Sequence, residues 1–367
     1  MGDTRAGLIR GSLGNEVVRM SKGWFGLVFL AIAGTAFGAS PWHVKPVPEI
    51  AHRDVHFSDH GADLAGTVYE PRTGAHLPAV VVLWGAEVPT RKFALYRHLT
   101  EGLPAMGIAV LVFDRRGSGA STGTMHGSDY QLLADDGVAA AKFLARDPRI
   151  DPHRIGYWGL SQGGWLAVLA ASKDPQAAFA VSVSAPLVTP AEQMDFAVSN
   201  LLTVHGYTHN DITQAITVRH AWQGFLRGND SYTTALASIK RAQSRPWFKL
   251  EFMPDTAEFT REPVNKAWKK DMDYDPLRIA KRVTVPTLFL YGGADPWVPV
   301  ARSVQRLQSL VSQHPNLEYR VIADADHTMM LPRKTTMAFD QQTLLDEVPQ
   351  APAYFMLLAS WIERHAH

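Results

Sequence analysis

The sequence predicts an α/β protein with a mostly parallel central sheet and helices on both faces of that sheet. Three observations carry this reading. Uninterrupted apolar runs of strand length recur along the chain, as strands buried on both faces require. Helical segments separate them, and strands alternating with helices make a parallel sheet. A serine-centred turn, GYWGLSQGG (Gly156 to Gly164), joins one such run directly to a helix.

The elements follow in order. DVHFS and LAGTVYE, separated by the turn-forming DHGAD, predict a hairpin of the first two strands. Pro71 to Pro78 is a loop. AVVVLW (Ala79 to Trp84) is the third strand, FALYRHLTEGLPAMG is helical in period, and IAVLVF (Ile108 to Phe113) is the fourth strand, closed by DRRGSGAS. A helix runs through DYQLLADDGVAAAKFLARD. Ile155 to Leu160 is the fifth strand, and Trp165 to Ala171, rich in Ala and Leu, is a helix. FAVSVSAP, PTLFLYGGAD and LEYRVIAD are the sixth, seventh and eighth strands, and AYFMLLASWIERH closes the chain as a helix.

One segment breaks the alternation. From Leu187 to about Pro276 no good strand appears, and AEQMDFAVSNLLTVHG, DITQAITVRHAWQGFLRG and SYTTALASIKRAQ all read as helices. This helical insertion between the sixth and seventh strands leaves from the sheet edge where open α/β sheets bind ligands, so it is expected to form a lid.

Composition narrows the class. The 367 residues, 46% hydrophobic and 19% charged, suit one large domain or one domain with an insertion. With 36 basic and 35 acidic residues the net charge is +1, and no basic tract points to nucleic acid. The chain has no cysteine, which excludes disulfides, Cys-ligated zinc and thiol catalysis. No metal or cofactor is expected. Met20 to Ser40 carries a lysine, a short apolar run from Trp24 to about Ala33, and then small residues, the pattern of a secretory signal. The expected organisation is therefore a signal peptide or N-terminal anchor over residues 1–39 (with Met20 as a second possible start), a linker over 40–53, and the main α/β domain over 54–367, with the helical insertion over 187–276. Export to the periplasm or outside the cell follows, with membrane anchoring by an uncleaved segment as the alternative. No lasting membrane association is expected once the signal is cleaved. The oligomeric state is not legible.

A strand passing into a helix within so few residues forces a sharp turn, with small neighbours around its apex. Ser161 stands at that apex, with Gly159, Gly163 and Gly164 close around it. A serine hydroxyl is a poor nucleophile without a base, so the reading demands partners. His327, in YRVIADADHTMM, lies just past the last strand, and Asp295, in PTLFLYGGADPWVPV, lies just past the seventh. Asp324 and Asp326 are nearer to His327 in sequence, but a carboxylate so close on the same loop seldom reaches behind the ring.

Ser161, Asp295 and His327 occur in the order Ser, acid, His, each at the carboxyl end of a predicted strand. With RIGYWGLSQGG, DRRGSGAS, GGADPWVP and ADH, the chain resembles the α/β-hydrolase superfamily from about Asp54 to His367. Within it, the sequence looks most like bacterial serine esterases related to the dienelactone hydrolase, prolyl oligopeptidase and serine aminopeptidase groups. The resemblance implies an α/β-hydrolase fold and hydrolysis of small or medium-size esters through an acyl-enzyme. Ser161 would be the nucleophile, His327 the base and Asp295 the acid. The oxyanion hole would use the backbone N–H of Gln162 and that of Ala86, with Glu87 as second choice, in LWGAEVPTRK.

Asp114 and Arg116 are expected to brace a loop or turn. The aromatic residues Trp222, Trp247, Phe248 and Phe252 would either line an acyl pocket or pack the insertion onto the core. Rival readings share the triad: an aminopeptidase-like enzyme, for which Glu192, Asp195 and Glu251 could hold a substrate ammonium, or a thioesterase or lactonase. A non-catalytic binding protein on the same fold would be expected to lack a triad member, and none is missing.

Overall fold

The eight predicted strands form one sheet in the order first, second, fourth, third, fifth, sixth, seventh, eighth in a computed structural model that describes residues 49–86, 90–125, 127–261, 266–331 and 350–366. The signal-like segment Met20 to Ser40 lies outside the described residues. No helix among the described residues is long and apolar enough to cross a membrane.

The strands β1 (Ile50–Asp59) and β2 (Ala62–Pro71) make the expected hairpin, with Ile50 opposite Pro71 and Asp59 opposite Ala62. The pairing begins at Ile50, inside the expected linker 40–53. Alternate residues of this edge strand are exposed, so its start carries no apolar run. Strand β2 is antiparallel to β4 (Ala109–Phe113), and every later pair, through β3 (Leu77–Leu83), β5 (Ile150–Leu160), β6 (Ala180–Val183), β7 (Thr287–Gly292) and β8 (Leu317–Ile322), is parallel. Only β2 runs against the rest. Strand β5 begins five residues before the expected Ile155, with a register irregularity against β3 between its two parts.

Period-two alternation divides the central strands between two cores. In β3, Ala79, Val81 and Leu83 face one core and Val80 and Val82 the other. The first core is closed by α2 (Tyr130–Leu144), α3 (Gln162–Lys173) and α9 (Val300–Val311). The second is closed by α10 (Pro352–His365) and by the helical stretch of residues 94–105. That stretch is irregular: a 3₁₀ turn, then a π turn over His98–Gly102, then α1 (Leu103–Ala105). Pro104 has no N–H to give to an earlier carbonyl, which disfavours regular α-geometry there.

Between β6 and β7 stand α4 (Pro190–Val204), α5 (His209–Arg227), α6 (Tyr232–Ala242), α7 (Lys266–Asp271) and α8 (Pro276–Ala280). Capping boxes, Thr189 with Glu192 and Thr208 with Asp211, start α4 and α5, and Gly228 at φ +81° ends α5. Helices α4 to α6 share a small core of their own around Val198, Val218, Ile239 and Trp247. Tyr274, Leu277 and Ile279 pack instead against the first sheet core, so the independent part of the insertion ends before them.

Candidate active site

Ser161 sits between β5 and α3 at φ +56°, ψ −123°, a backbone region that costs a non-glycine residue about 1–3 kcal/mol. The surrounding glycines explain how the turn is possible. A Cβ on Gly159 would overlap the carbonyl of Gly163, and one on Gly163 would overlap the carbonyl of Leu83. Strand, helix and the end of β3 thus meet at backbone distance, and the Ser161 side chain is left at the carboxyl edge of the sheet.

The loops after β7 and β8 come together in the same way. A Cβ on Gly292 would overlap the carbonyl of Asp326, and one on Gly293 that of Ala323. This contact sets Asp295 behind His327. Oδ2 of Asp295 lies 2.8 Å from Nδ1 of His327. Oδ1 of Asp295 accepts from the N–H groups of Trp297 (2.8 Å) and Val298 (3.1 Å), so both carboxylate oxygens are held. Both side chains are buried. Because the carboxylate accepts a hydrogen bond from Nδ1–H, the ring proton stays on Nδ1 and Nε2 of the neutral ring is the unprotonated nitrogen. His327 and Ser161 line one cavity. Asp324 is exposed. Asp326 spends its Oδ1 on the N–H and hydroxyl of Thr328 and the N–H of Met330, shaping the turn that carries His327.

Among the described residues, no group accepts from the backbone N–H of Gln162 or of Ala86. Gln162 opens α3, where the helix dipole is positive. Glu87 lies outside the described residues.

Asp114 and Arg116 do brace turns. Asp114 accepts from the N–H of Arg91 and of Ala120 and pairs with the Arg91 guanidinium. Arg116 pairs with Asp136 and Asp59. Between them stands Arg115, which the sequence reading passed over. Its Nη2 donates to the carbonyls of Trp84 (3.1 Å) and Gly85 (2.6 Å) and to Oε1 of Gln162 (2.8 Å). Burial pulls its guanidinium down to about 10, which leaves it charged at neutral pH. The signal was present in the sequence: DRRGSGAS follows β4 at the same sheet edge as the other site loops.

Two cavities of similar size meet at Ser161. One, of about 380 Å³, is apolar, with walls from Trp84, Phe93, Tyr96, Phe252 and Trp297, and it holds His327. The other, of about 370 Å³, is more polar, with Arg115, Gln162, Tyr130 and Asp271 in its wall. Gln193 and Met194 of α4 line both, and Gln193 donates to the Trp297 carbonyl at 2.9 Å, tying α4 to the Asp295 loop.

Three expected substrate residues are elsewhere. Trp247 and Phe248 are buried in the core of the insertion, and Trp222 packs there and stacks on Trp268. None of the three lines either cavity. Aromatic character within the insertion could not distinguish the inside of a small helical core from a pocket wall. Phe252, the fourth aromatic, is in the apolar cavity. The candidate ammonium ligands are also occupied otherwise: Glu192 with Arg302, Asp195 with His220, and Glu251 with the buried Arg219. Among the described residues, no group of three His, Asp or Glu side chains could hold a metal. His52 and His56 have an i, i+4 spacing, but on a strand that separates them by about 13 Å.

The sheet order, the strained serine turn and the His–Asp pair on adjacent loops define a serine-type α/β-hydrolase. The chain belongs to the serine aminopeptidase S33 family, whose sequence profile matches residues 90–333. Over 291 residues it is 25% identical to the quorum-quenching protein AidA of Acinetobacter baumannii, covering 76% of this chain and 88% of that one. A shorter match, 36% over 125 residues, relates 34% of this chain to 39% of the thiohydrolase apmlB of Arthrinium phaeospermum. The fold is similar to that of an esterase from Pyrococcus furiosus, with a TM-score of 0.56 and 17% identity, over 87% of this chain and 92% of that one.

Proposed function

We propose that the protein hydrolyses carboxylic esters through an acyl-enzyme on Ser161. The observation that carries this reading is the strained Ser161 turn sharing a cavity with His327, whose far nitrogen is held by Asp295 at 2.8 Å. Nε2 of His327 takes the hydroxyl proton as Oγ of Ser161 attacks the ester carbonyl. Asp295 keeps the ring in the required tautomer and stabilises the imidazolium. The tetrahedral oxyanion takes hydrogen bonds from the N–H groups of Gln162 and Ala86, each worth about 3 kcal/mol. Collapse breaks the bond to the alkoxide, which leaves with the proton from His327. Water then attacks the acyl carbon as His327 takes one of its protons; collapse breaks the bond to Oγ of Ser161, which takes that proton from His327, and the acid is released.

The departing oxygen must be next to His327 to receive that proton. His327 lines the apolar cavity and is absent from the wall of the polar one. The alcohol therefore occupies the apolar side and the acyl group the polar side. A thioester substrate, the second reading, fits the same scheme with sulfur as the leaving atom, and the match to a thiohydrolase favours it over the others. Aminopeptidase action has less support, since Glu192, Asp195 and Glu251 are paired away from the cavities. A panel of 4-nitrophenyl esters, matched thioesters and aminoacyl nitroanilides tests the reading. Turnover of esters well above that of anilides is expected. Turnover of the anilides alone would replace the esterase reading by the peptidase one.

A further inference from the structure

Three arginines are buried among the described residues: Arg115, Arg116 and Arg219. Two of them have a carboxylate partner, Arg116 in Asp136 and Arg219 in Glu251. That is the ordinary requirement, because a buried charge without a counter-charge is costly. Arg115 departs from it. Nη2 makes all its described contacts, to two carbonyls and an amide oxygen, and no described carboxylate pairs with it. No described group accepts from its Nε or Nη1. Asp271, in the same cavity, receives the N–H of Tyr130 instead, at 3.2 Å to each oxygen.

The position of this guanidinium is informative. It lines the polar cavity together with Ser161, and Gln162, to which it is bonded, follows Ser161 directly. Tyr130 lines the same cavity, with its hydroxyl near the same Gln162 side chain. A planar fork with donors that no described group uses, buried and still charged, is suited to a carboxylate.

We infer that the polar cavity binds an anionic acyl end, so that the substrates are esters of short dicarboxylic acids whose free carboxylate sits on Arg115. This rests on the ester reading and on the alcohol lying beside His327. Binding would supply a counter-charge to Arg115, with which no described carboxylate pairs, and would place the scissile carbonyl between Ser161 and the N–H groups of Gln162 and Ala86.

The test compares mono-4-nitrophenyl adipate with its terminal-amide isostere, each corrected for its rate without enzyme. In the wild type, kcat/KM should favour the acid by roughly 10-fold or more, the range of a hydrogen bond to a charged group. In Arg115→Met both rates fall, and the ratio should drop to about one. Arg115→Lys, which keeps the charge without the fork, should give a ratio in between. A wild-type ratio near one would overturn the inference without any variant, as would a ratio unchanged in Arg115→Met. Calorimetry of Ser161→Ala with monomethyl adipate and with its terminal amide reads the site apart from catalysis. Tighter binding of the acid without turnover of any ester would keep the site and remove the ester reading. Equal binding alongside rapid ester turnover would do the reverse.

Discussion

Nη2 of Arg115 lies 2.6 Å from the carbonyl oxygen of Gly85. In a trans peptide the carbonyl and the following N–H point in opposite directions. Fastening the Gly85 carbonyl therefore fixes the direction of the Ala86 N–H. The bond from the same nitrogen to the Trp84 carbonyl, at 3.1 Å, does this for the peptide before it. Arg115 is thus a positioning residue for half of the proposed oxyanion hole, whatever else it binds.

With 4-nitrophenyl acetate, which has no anionic end, Arg115→Met should lower kcat by roughly 100-fold, the cost of a misplaced catalytic group, and change KM far less. Arg115→Lys should recover part of the loss. A purely structural role would instead lower the melting temperature and leave kcat per folded molecule unchanged.

The acid assignment separates three aspartates. Asp295→Asn should lower kcat by about 10⁴-fold, because the amide favours the wrong tautomer of His327. Asp324, exposed on the surface, should tolerate Asn. Asp326→Asn keeps one acceptor for the turn and should cost little activity. Steady-state kinetics of the three variants decides, and a dead Asp326→Asn with an active Asp295→Asn would reverse the assignment.

Two sets of aromatic residues should behave differently. Phe252→Ala and Trp297→Ala open the apolar cavity and should shift the preferred length of the alcohol, at about 1–3 kcal/mol per methylene. Trp247→Ala should cost about 3–5 kcal/mol of stability and leave that preference unmoved. Alcohol-length profiles and thermal melts of the same variants measure both effects. A wild-type profile for Phe252→Ala and Trp297→Ala would remove the alcohol from this cavity.

Asp271 carries a pH signature. Burial raises its carboxyl to about 7 from an ordinary 3.8. The unfolded chain gives up this proton near 3.8 and the folded protein only near 7, so the group's contribution to stability declines between these values and levels off above about 7. Asp271→Asn removes the decline. Its melting temperature should match the wild type near pH 4 and exceed it above pH 7. Parallel melting curves across the whole range would show that Asp271 ionises normally.

The sheet was legible because buried parallel strands leave apolar runs and the first two strands flank a turn-forming stretch, and all eight strands overlap the expected segments. The first residues of β1 and β5 were not, since an edge strand and an irregular register carry no such run. Ser161, Asp295 and His327 were singled out by their common place at strand ends; the structure brings Ser161 and His327 to one cavity and sets Asp295, not Asp324 or Asp326, against the ring. The cavity walls were hidden. Phe93 and Tyr96 come from the segment after β3, Arg115 from the loop after β4 and Trp297 from the loop after β7, and nothing local in the sequence says which way such a side chain points. Trp222, Trp247 and Phe248 had the right chemistry for a pocket, yet the insertion had a core of its own to fill.

The central claim is that Ser161 attacks and is acylated. Incubation with a fluorophosphonate ester, followed by digestion and mass spectrometry, tests it most directly. One phosphonyl group per chain is expected, on the peptide that contains Ser161, with loss of ester hydrolysis in step with labelling. Ser161→Ala should neither label nor turn over while keeping its fold by circular dichroism. Stoichiometric labelling of another serine, or undiminished hydrolysis by Ser161→Ala, would contradict the account.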